Sequence, residues 1–295
     1  MTDTSPSATE PPIVIGVLTA FNRRTSTLDA LARLEVSCRY AGIVPRAVLV
    51  DDGSTDDTAA AVRAAYPWTE VIDGDGSLFW NRGMHMAQAR AMAYPHDYLL
   101  WLNDDTRLHP EAIGRLLETA EIVDKRHDKP CIVVGATADP LTGQTSYGGD
   151  IAHSRWRPFN YRRLGRTTEP VECHAMNGNI VLIPAAVVQS IGNLDPVFEH
   201  AMGDTDYALR ARRAGFQVYV APGHLGECTN NPTDGTYRDK RLPLTERWRK
   251  MLSRKGLPPR SWRHFTRRHG GLLWPLHFAW PYIRLLADHA RQRRA

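Results

Sequence analysis

Three short apolar runs early in the chain each end in a cluster of polar, mostly acidic residues, and no other feature constrains the fold as much. Ile13 to Leu18 leads into Thr19-Ala20-Phe21-Asn22-Arg23. Arg46 to Val50 leads into Asp51-Asp52-Gly53-Ser54, and Tyr98 to Leu102 into Asn103-Asp104-Asp105. Short β-branched, apolar runs of this kind read as strands buried on both faces, as in a parallel sheet. Helical patterns follow at about 25–40, 80–93 and 110–125, with a shorter one reaching about residue 65, capped by Thr55 or Asp56, and a short strand at 70–72. Strands alternating with helices predict βαβ units and a mostly parallel sheet flanked by helices. Ligands of open α/β sheets bind beyond the carboxyl ends of the strands. A single DDGS after a strand is as easily a turn, but three polar termini on one edge are hard to reach by turn chemistry.

After about Ile132 the pattern is less regular, with Gly and aromatic residues through Tyr161. Strands are expected at 179–183 and 217–220, and a helix at 204–214 that Gly215 can cap. Beyond Leu242 the chain turns helical, basic and aromatic. A length of 295 residues suits one large α/β domain with an appendage. The expected division is a disordered polar lead-in over 1–12, the α/β domain over 13–235, and a helical basic extension over 236–295. The lead-in lacks the basic start and apolar stretch of a signal peptide. Four scattered cysteines without a CxxC pair indicate neither a zinc site nor a disulfide framework, so a reduced, cytoplasmic protein is the expectation. The net charge of +5 hides an asymmetry: from Arg238 onward the chain carries 16 Lys and Arg against 3 Asp and Glu. The acidic remainder holds the polar strand ends, and the basic part suits an anionic surface.

No GxGxxG follows the first strand and no GxxxxGK[ST] occurs, which disfavours a dinucleotide dehydrogenase or a P-loop NTPase. Carboxylates repel a pyrophosphate directly but hold it through a divalent cation. Mg²⁺ and Mn²⁺ take one or two carboxylates plus substrate phosphates, and Asn103-Asp104-Asp105 suits that task; the bland alternative is a cap before the helix at Pro110.

These segments resemble the family-2 glycosyltransferases of GT-A fold, a Rossmann-like α/β architecture. The run 48–56, Val-Leu-Val-Asp-Asp-Gly-Ser-Thr-Asp, resembles the family's first acidic motif. The resemblance implies that Asp51 and Asp52, with Gly53 and Ser54 and with Thr19, Asn22 and Arg23 from the first loop, contact the nucleoside of a donor. Leu100 to Thr106 resembles the family's DxD metal motif in a form with Asn in first place. It implies Asp105 as the metal ligand, with Asn103 and Asp104 as further donor-site groups. Gly74 to Met84 resembles the segment that lines the donor pocket in polysaccharide-assembly members, which brings in Gly76, Trp80, Asn81 and Gly83. Trp80 and Trp101 read equally as core or pocket wall. Met202 to Phe216 resembles the acceptor motif EDxDL..R....G, with Gly203 in place of the usual Glu and Asp204 retained at the position of the general base.

The same roles have physical grounds. Asp204 stands at the start of a helix, where a plain N-cap is the alternative. Asp206 and Arg210 are spaced for an intrahelical pair. Displacing a nucleoside diphosphate from an anomeric carbon needs a base for the acceptor hydroxyl and a Lewis acid for the departing diphosphate. One base without a carboxylate nucleophile predicts direct displacement with inversion. His224, after the strand at 217–220, resembles a third metal ligand of GT-A enzymes, with Glu227 as the alternative and a plain loop histidine as a further reading. His174, Asn177 and Asn179 precede a strand near the expected acceptor side. The expected reaction moves a sugar from a UDP- or dTDP-sugar to a hydroxyl of a glycan or lipid-linked glycan in surface polysaccharide assembly.

Leu272 to Ala287 is apolar over only about 16 residues and carries Pro275, Pro281, His277 and Arg284, too short and too polar for a spanning helix. With the arginines of 260–268 it suits an interfacial element at the inner face of the cytoplasmic membrane; packing on the core or against a second subunit, as in a homodimer, is the alternative. A nucleotidyltransferase would want a glycine-rich, basic first loop, and Thr19 to Arg24 holds no glycine. A nucleic-acid or other anionic-polymer binder using the tail would leave the acidic rim unexplained, so nucleic acid is not an expected partner.

Overall fold

The computed structural model describes residues 10–154, 159–231 and 233–292, so positions 1–9 of the expected lead-in lie outside it. The chain opens with β1 (Val14–Ala20), α1 (Arg24–Tyr40), β2 (Ala47–Asp51), α2 (Thr58–Ala65), β3 (Thr69–Asp73), α3 (Phe79–Ala91) and β4 (Tyr98–Leu102). It continues through α4 (Ala112–His127), β5 (Cys131–Val134), β6 (Val171–Glu172), β7 (Ile180–Pro184), α5 (Ala185–Ile191), α6 (Gly203–Arg213) and β8 (Gln217–Val220). Three helices close it: α7 (Leu244–Leu252), α8 (Pro259–His269) and α9 (Trp274–Gln292). Eight strands form one sheet in the order β6-β8-β5-β7-β4-β1-β2-β3. Pairing is parallel across β3, β2, β1 and β4, and again between β5 and β8. This is the α/β architecture expected from the strand–helix alternation.

Orientation is what the apolar pattern does not encode, and two strands depart from the parallel rule: the short edge strand β6, antiparallel to β8, and the central strand β7. β7 runs antiparallel between β4 and β5, with Ile180 opposite Leu102. Its amino end therefore lies where the carboxyl ends of its neighbours lie. That reversal carries Asn177, Gly178 and Asn179 to the same rim as Asn103, and the Asn103 amide donates to the Asn179 carbonyl (3.1 Å).

Both faces of the sheet are covered, which is why its strands are apolar throughout. Leu31, Leu34, Leu116 and Val123 of α1 and α4 pack on one face. Met84, Ala87, Tyr207 and Ala211 of α3 and α6 pack on the other. Gly83 lets α3 approach β1: a Cβ there would stand 2.2 Å from Thr19 Oγ1. Trp101 is fully buried, edge-on to Tyr207 at 4.9 Å, with its indole N–H on Gln88 Oε1 at 2.8 Å. α6 ends as its sequence predicts. Gly215 adopts φ +88°, its amide reaches Arg212 O, and the Phe216 amide reaches Ala211 O, a Schellman closure.

α8 is docked onto the domain. Trp262 and Phe265 pack with Phe198 in a separate apolar cluster. Arg268 reaches Asp195 Oδ2 (2.6 Å) and Asp206 Oδ1 (2.9 Å), and His269 Nε2 donates to Asp206 Oδ1 (2.8 Å). Asp206 also holds Arg210 at 2.8 Å, the intrahelical pair foreseen from the spacing. Its carboxylate is fully buried. Burial opposes that charge, but His269, Arg210 and Arg268 outweigh it and hold the group down to about 2. Among the described residues no helix is long and apolar enough to cross a membrane.

Removing a buried, multiply paired charge strands its partners at about 3–5 kcal/mol. Asp206→Ala is expected to lower the unfolding free energy by about that amount, to lower the thermal midpoint with it, and to expose the α7–α8 connection to limited proteolysis. The sign of the pH dependence follows from a depressed carboxylate. The Asp206 contribution is complete above its unfolded value of about 3.9 and is lost as pH falls towards about 2. Wild-type stability should therefore drop through that window, whereas the variant should lack this part of the drop.

Candidate active site

The rim is built from loops that are tied to one another by the acidic side chains. Asp51, buried at the end of β2, accepts from the Ser54 amide (3.2 Å), the Ser54 hydroxyl and the Ala59 amide at the start of α2 (3.1 Å). Asp52 accepts from the amides of Gly76 (2.9 Å), Leu78 (3.0 Å) and Phe79 (2.9 Å), so it shapes the loop after β3. Gly53 and Gly76 meet back to back with φ +76° and +83°; a Cβ on Gly53 would stand 3.0 Å from the Gly76 amide. Asn22, at φ +52°, accepts from the Thr55 amide at 2.7 Å, and its own amide donates to Ser54 Oγ at 2.8 Å. The result is an exposed floor of Asn22, Gly53 and Gly76 over carboxylates already satisfied by main-chain donors.

Asp104 and Asp105 are satisfied differently. Both face a single nitrogen: Arg23 Nη1 lies 3.4 Å from Asp104 Oδ1 and 2.5 Å from Asp105 Oδ2. Burial pushes the Asp104 carboxyl up to about 7, with Arg23 opposing that rise and Asp105 adding to it. Burial also works against the charge of Arg23, yet the two aspartates raise it. Two carboxylates that already share one cation have the hard-oxygen donor chemistry that Mg²⁺ or Mn²⁺ takes. Among the described residues no cluster of three or more His, Cys, Asp or Glu is arranged around a metal position. A cation here would therefore draw its remaining ligands from water and substrate phosphate. His224 takes a different place from the one expected of a metal ligand: its Nε2 meets Thr145 Oγ1 at 2.8 Å. The reason is register. Gly226 and Glu227 pair antiparallel with Leu108 and Arg107, so the chain brings Cys228 back to Asp105 (3.6 Å) and carries His224 the other way. Burial, with Asp105 nearby, raises the Cys228 thiol to about 12, so it stays a neutral neighbour. Glu227 is held by Arg107 at 3.8 Å.

Asp204 sits in the first turn of α6, half-buried, accepting from the amides of Thr205 (2.7 Å) and Gly178 (3.2 Å). Burial raises it to about 6 against those two amides. Gly178 packs under Trp80, whose indole N–H donates to Asn103 Oδ1 at 2.7 Å. Asp204 and the Asn103-Asp104-Asp105 segment are thus joined through two intervening residues, Gly178 and Trp80. Asn81 is fully buried and gives both amide protons to the carbonyls of Asp195 and Phe198 (2.9 and 2.8 Å), so its side chain is structural. A Cβ at Gly203 would stand 1.6 Å from Asn81 Oδ1, so no Glu fits there. Asn179 reaches Thr106 Oγ1 and Cys228 Sγ, each at 3.4 Å, and bridges the two sides. Asn177 accepts from the Gly148 amide and His174 from the Ala152 amide (both 3.4 Å), in the strand region beside β7. Sequence reasoning passed over Gly178, Cys228 and His200. Gly178 was signalled by the asparagines on either side of it. His200 lies near Lys255 and Arg23, and burial with those two cations lowers it to about 4, so it enters the rim neutral.

A family model described as glycosyltransferase like family 2 matches residues 11–269. The undecaprenyl-phosphate 4-deoxy-4-formamido-L-arabinose transferase of Pseudomonas savastanoi pv. phaseolicola is 37% identical over 111 residues, 36% of this chain and 32% of its own length. The chain thus spans about a third of that relative. Among solved structures, the mannosyltransferase PcManGT of Pyrobaculum calidifontis, in complex with GDP-Man and Mn²⁺, matches with a TM-score of 0.54 at 15% identity, over 99% of this chain and 78% of its own. GalNAc-T7 with UDP, GalNAc and Mn²⁺ matches at 0.51 and 14%, over 75% of this chain and 44% of its own. At these identities the likeness shows the fold alone.

Arg23 competes with any metal for Asp104 and Asp105. Deleting a like charge a few ångströms away is worth about 1 kcal/mol or more near a surface. Arg23→Leu should bind Mn²⁺ about tenfold more tightly than wild type when titrated calorimetrically without nucleotide; unchanged affinity would mean that Arg23 does not guard the pair.

Proposed function

This chain belongs to the glycosyltransferase-like family 2 and has the GT-A fold, and from that premise we propose that it is a metal-dependent, inverting glycosyltransferase. It takes the sugar of a UDP- or dTDP-linked donor to a hydroxyl of a glycan or lipid-linked glycan. The observation that carries this reading is Asp204: a half-buried carboxylate raised to about 6, tied through Gly178 and Trp80 to Asn103, the residue before the carboxylate pair. A carboxylate in that range is ionised at neutral pH and basic enough to share an acceptor proton.

Donor and acceptor then have separate supports. The floor of Asn22, Gly53 and Gly76 leaves main chain open for the nucleoside. Arg23, half exposed, is the chain's own cation for the donor phosphates. Held by Asp104 and Asp105, a divalent cation supplies charge neutralisation for the departing diphosphate. Asp204 takes the proton of the acceptor hydroxyl as its oxygen attacks the anomeric carbon from the face opposite the phosphate. The bond from the anomeric carbon to the phosphate oxygen breaks, the diphosphate leaves with the electron pair, and the configuration inverts. Four buried, unpaired cysteines suit the reducing cytoplasm, where nucleotide-sugars would be met.

Calorimetry with UDP, dTDP, GDP and ADP, with Mn²⁺, with Mg²⁺ and with EDTA, tests the donor half. Metal-dependent binding of one pyrimidine diphosphate, lost in Asp105→Ala, is expected; no binding of any diphosphate would end this reading. Asp204→Asn should keep that binding and lose about a thousandfold in transfer. Below about pH 6 the wild-type rate should fall about tenfold per pH unit while donor affinity holds. Because its carboxyl is raised in the fold, Asp204 favours folding below its unfolded value of about 3.9 and loses that advantage as pH rises through about 6. At neutral pH Asp204→Asn should therefore be the more stable protein by up to about 2 kcal/mol.

A further inference from the structure

α9 is apolar on two opposite faces. Phe278, Tyr282 and Leu285 turn inward: the Phe278 carbonyl accepts from Trp262 Nε1 (3.0 Å), and the Tyr282 hydroxyl donates to the Leu257 carbonyl (2.7 Å). The face across the helix carries Leu276 (66% exposed), Trp280 (61%) and Ile283 (53%), with Leu272 (99%) and Leu273 just ahead of it. Helices apolar all round belong in a core or a lipid phase, and contiguous exposed patches of this kind mark interaction surfaces.

The neighbouring helix α8 carries a row of arginines. Arg260, Arg263 and Arg267 follow one another along the exposed side of α8, and with His264 and Phe278 they line an open groove of about 730 Å³. Among the described residues no carboxylate pairs with these three. The Arg267 guanidinium lies over the Trp274 ring at 6.0 Å, so the row reaches the start of α9. The three acids of the tail are already engaged within it: Asp239 with Arg241, Glu246 with Lys250, and Asp288 with Arg284. A second copy of the chain would bring its own arginines to a two-fold contact without a free tail acid to answer them. Lipid phosphates would answer them.

We propose that α8 and α9 form a docking surface for an anionic lipid bilayer, with the Leu276–Trp280–Ile283 face entering the headgroup boundary and Arg260, Arg263 and Arg267 paired with lipid phosphates. Apolar burial and attraction to anionic lipid then add in one interfacial element. The surface adjoins the acceptor side, because α8 packs on Phe198 and its His264 holds Asp195 at 3.0 Å. The inference is independent of the transfer chemistry.

Co-sedimentation of the full chain with vesicles of phosphatidylcholine and phosphatidylglycerol, and of phosphatidylcholine alone, tests it. Binding is expected to the mixed vesicles only, and to weaken with salt. Leu276→Ser with Trp280→Ser should weaken it. Changing Arg260, Arg263 and Arg267 to Gln should weaken it about fivefold per charge. Both variants should keep the wild-type melting temperature, since they alter exposed side chains. Failure of wild type to bind the mixed vesicles, or equal binding by both variants, would overturn the proposal. So would a concentration-dependent dimer that Trp280→Ser disrupts in a chain that ignores vesicles. Nucleoside-diphosphate binding on the same samples reports on the transferase reading separately.

Discussion

Like charges repel, and five carboxylates gathered at one sheet edge must each be answered by a donor or take up a proton. The way each is answered sorts them by task. Asp51 and Asp52 are saturated by main-chain amides and act as loop braces. Asp104 and Asp105 share one half-exposed guanidinium, whose place a different cation would take in the proposed reaction. Asp204 has only two amides, and its affinity for a proton rises accordingly. The proposed division into brace, cation site and base thus follows from how many donors the fold aims at each group.

The reversed strand β7 is what brings the last of these to the others. Had it run parallel, its amino end would lie at the far edge of the sheet, and Gly178 would not meet both Asp204 and Trp80. The docking of α8 on Asp206 acts at the same place from behind, since Asp204 and Asp206 share the first turn of α6. A charge cluster in the core therefore fixes the helix whose first turn carries the proposed base.

The strand–helix alternation, the polar strand ends, the Asp206–Arg210 pair and the Gly215 closure were legible in the sequence because each depends on residues close together in the chain. The direction of β7 was not, because an apolar run such as Ile180 to Ile183 suits either orientation. The place of His224 failed for a related reason: whether it or Cys228 reaches Asp105 depends on the register of a two-residue ladder with Arg107 and Leu108. Asn81 reads as a pocket residue from its neighbours, yet a buried carboxamide is decided by which carbonyls face it, and those come from more than 100 positions away. The tail was legible as apolar and basic. That one side of α9 packs inward and the other outward required the position of Trp262.

Gly203 and Asn81 have become a single variable. The room a side chain at 203 would need is filled by the carboxamide oxygen of residue 81, and that carboxamide ties down the carbonyls of Asp195 and Phe198. Neither position can be exchanged alone without a clash or a loosened loop. Any path from this sequence to one with a leading Glu must therefore alter residue 81 as well as residue 203. The packing makes the two substitutions one event.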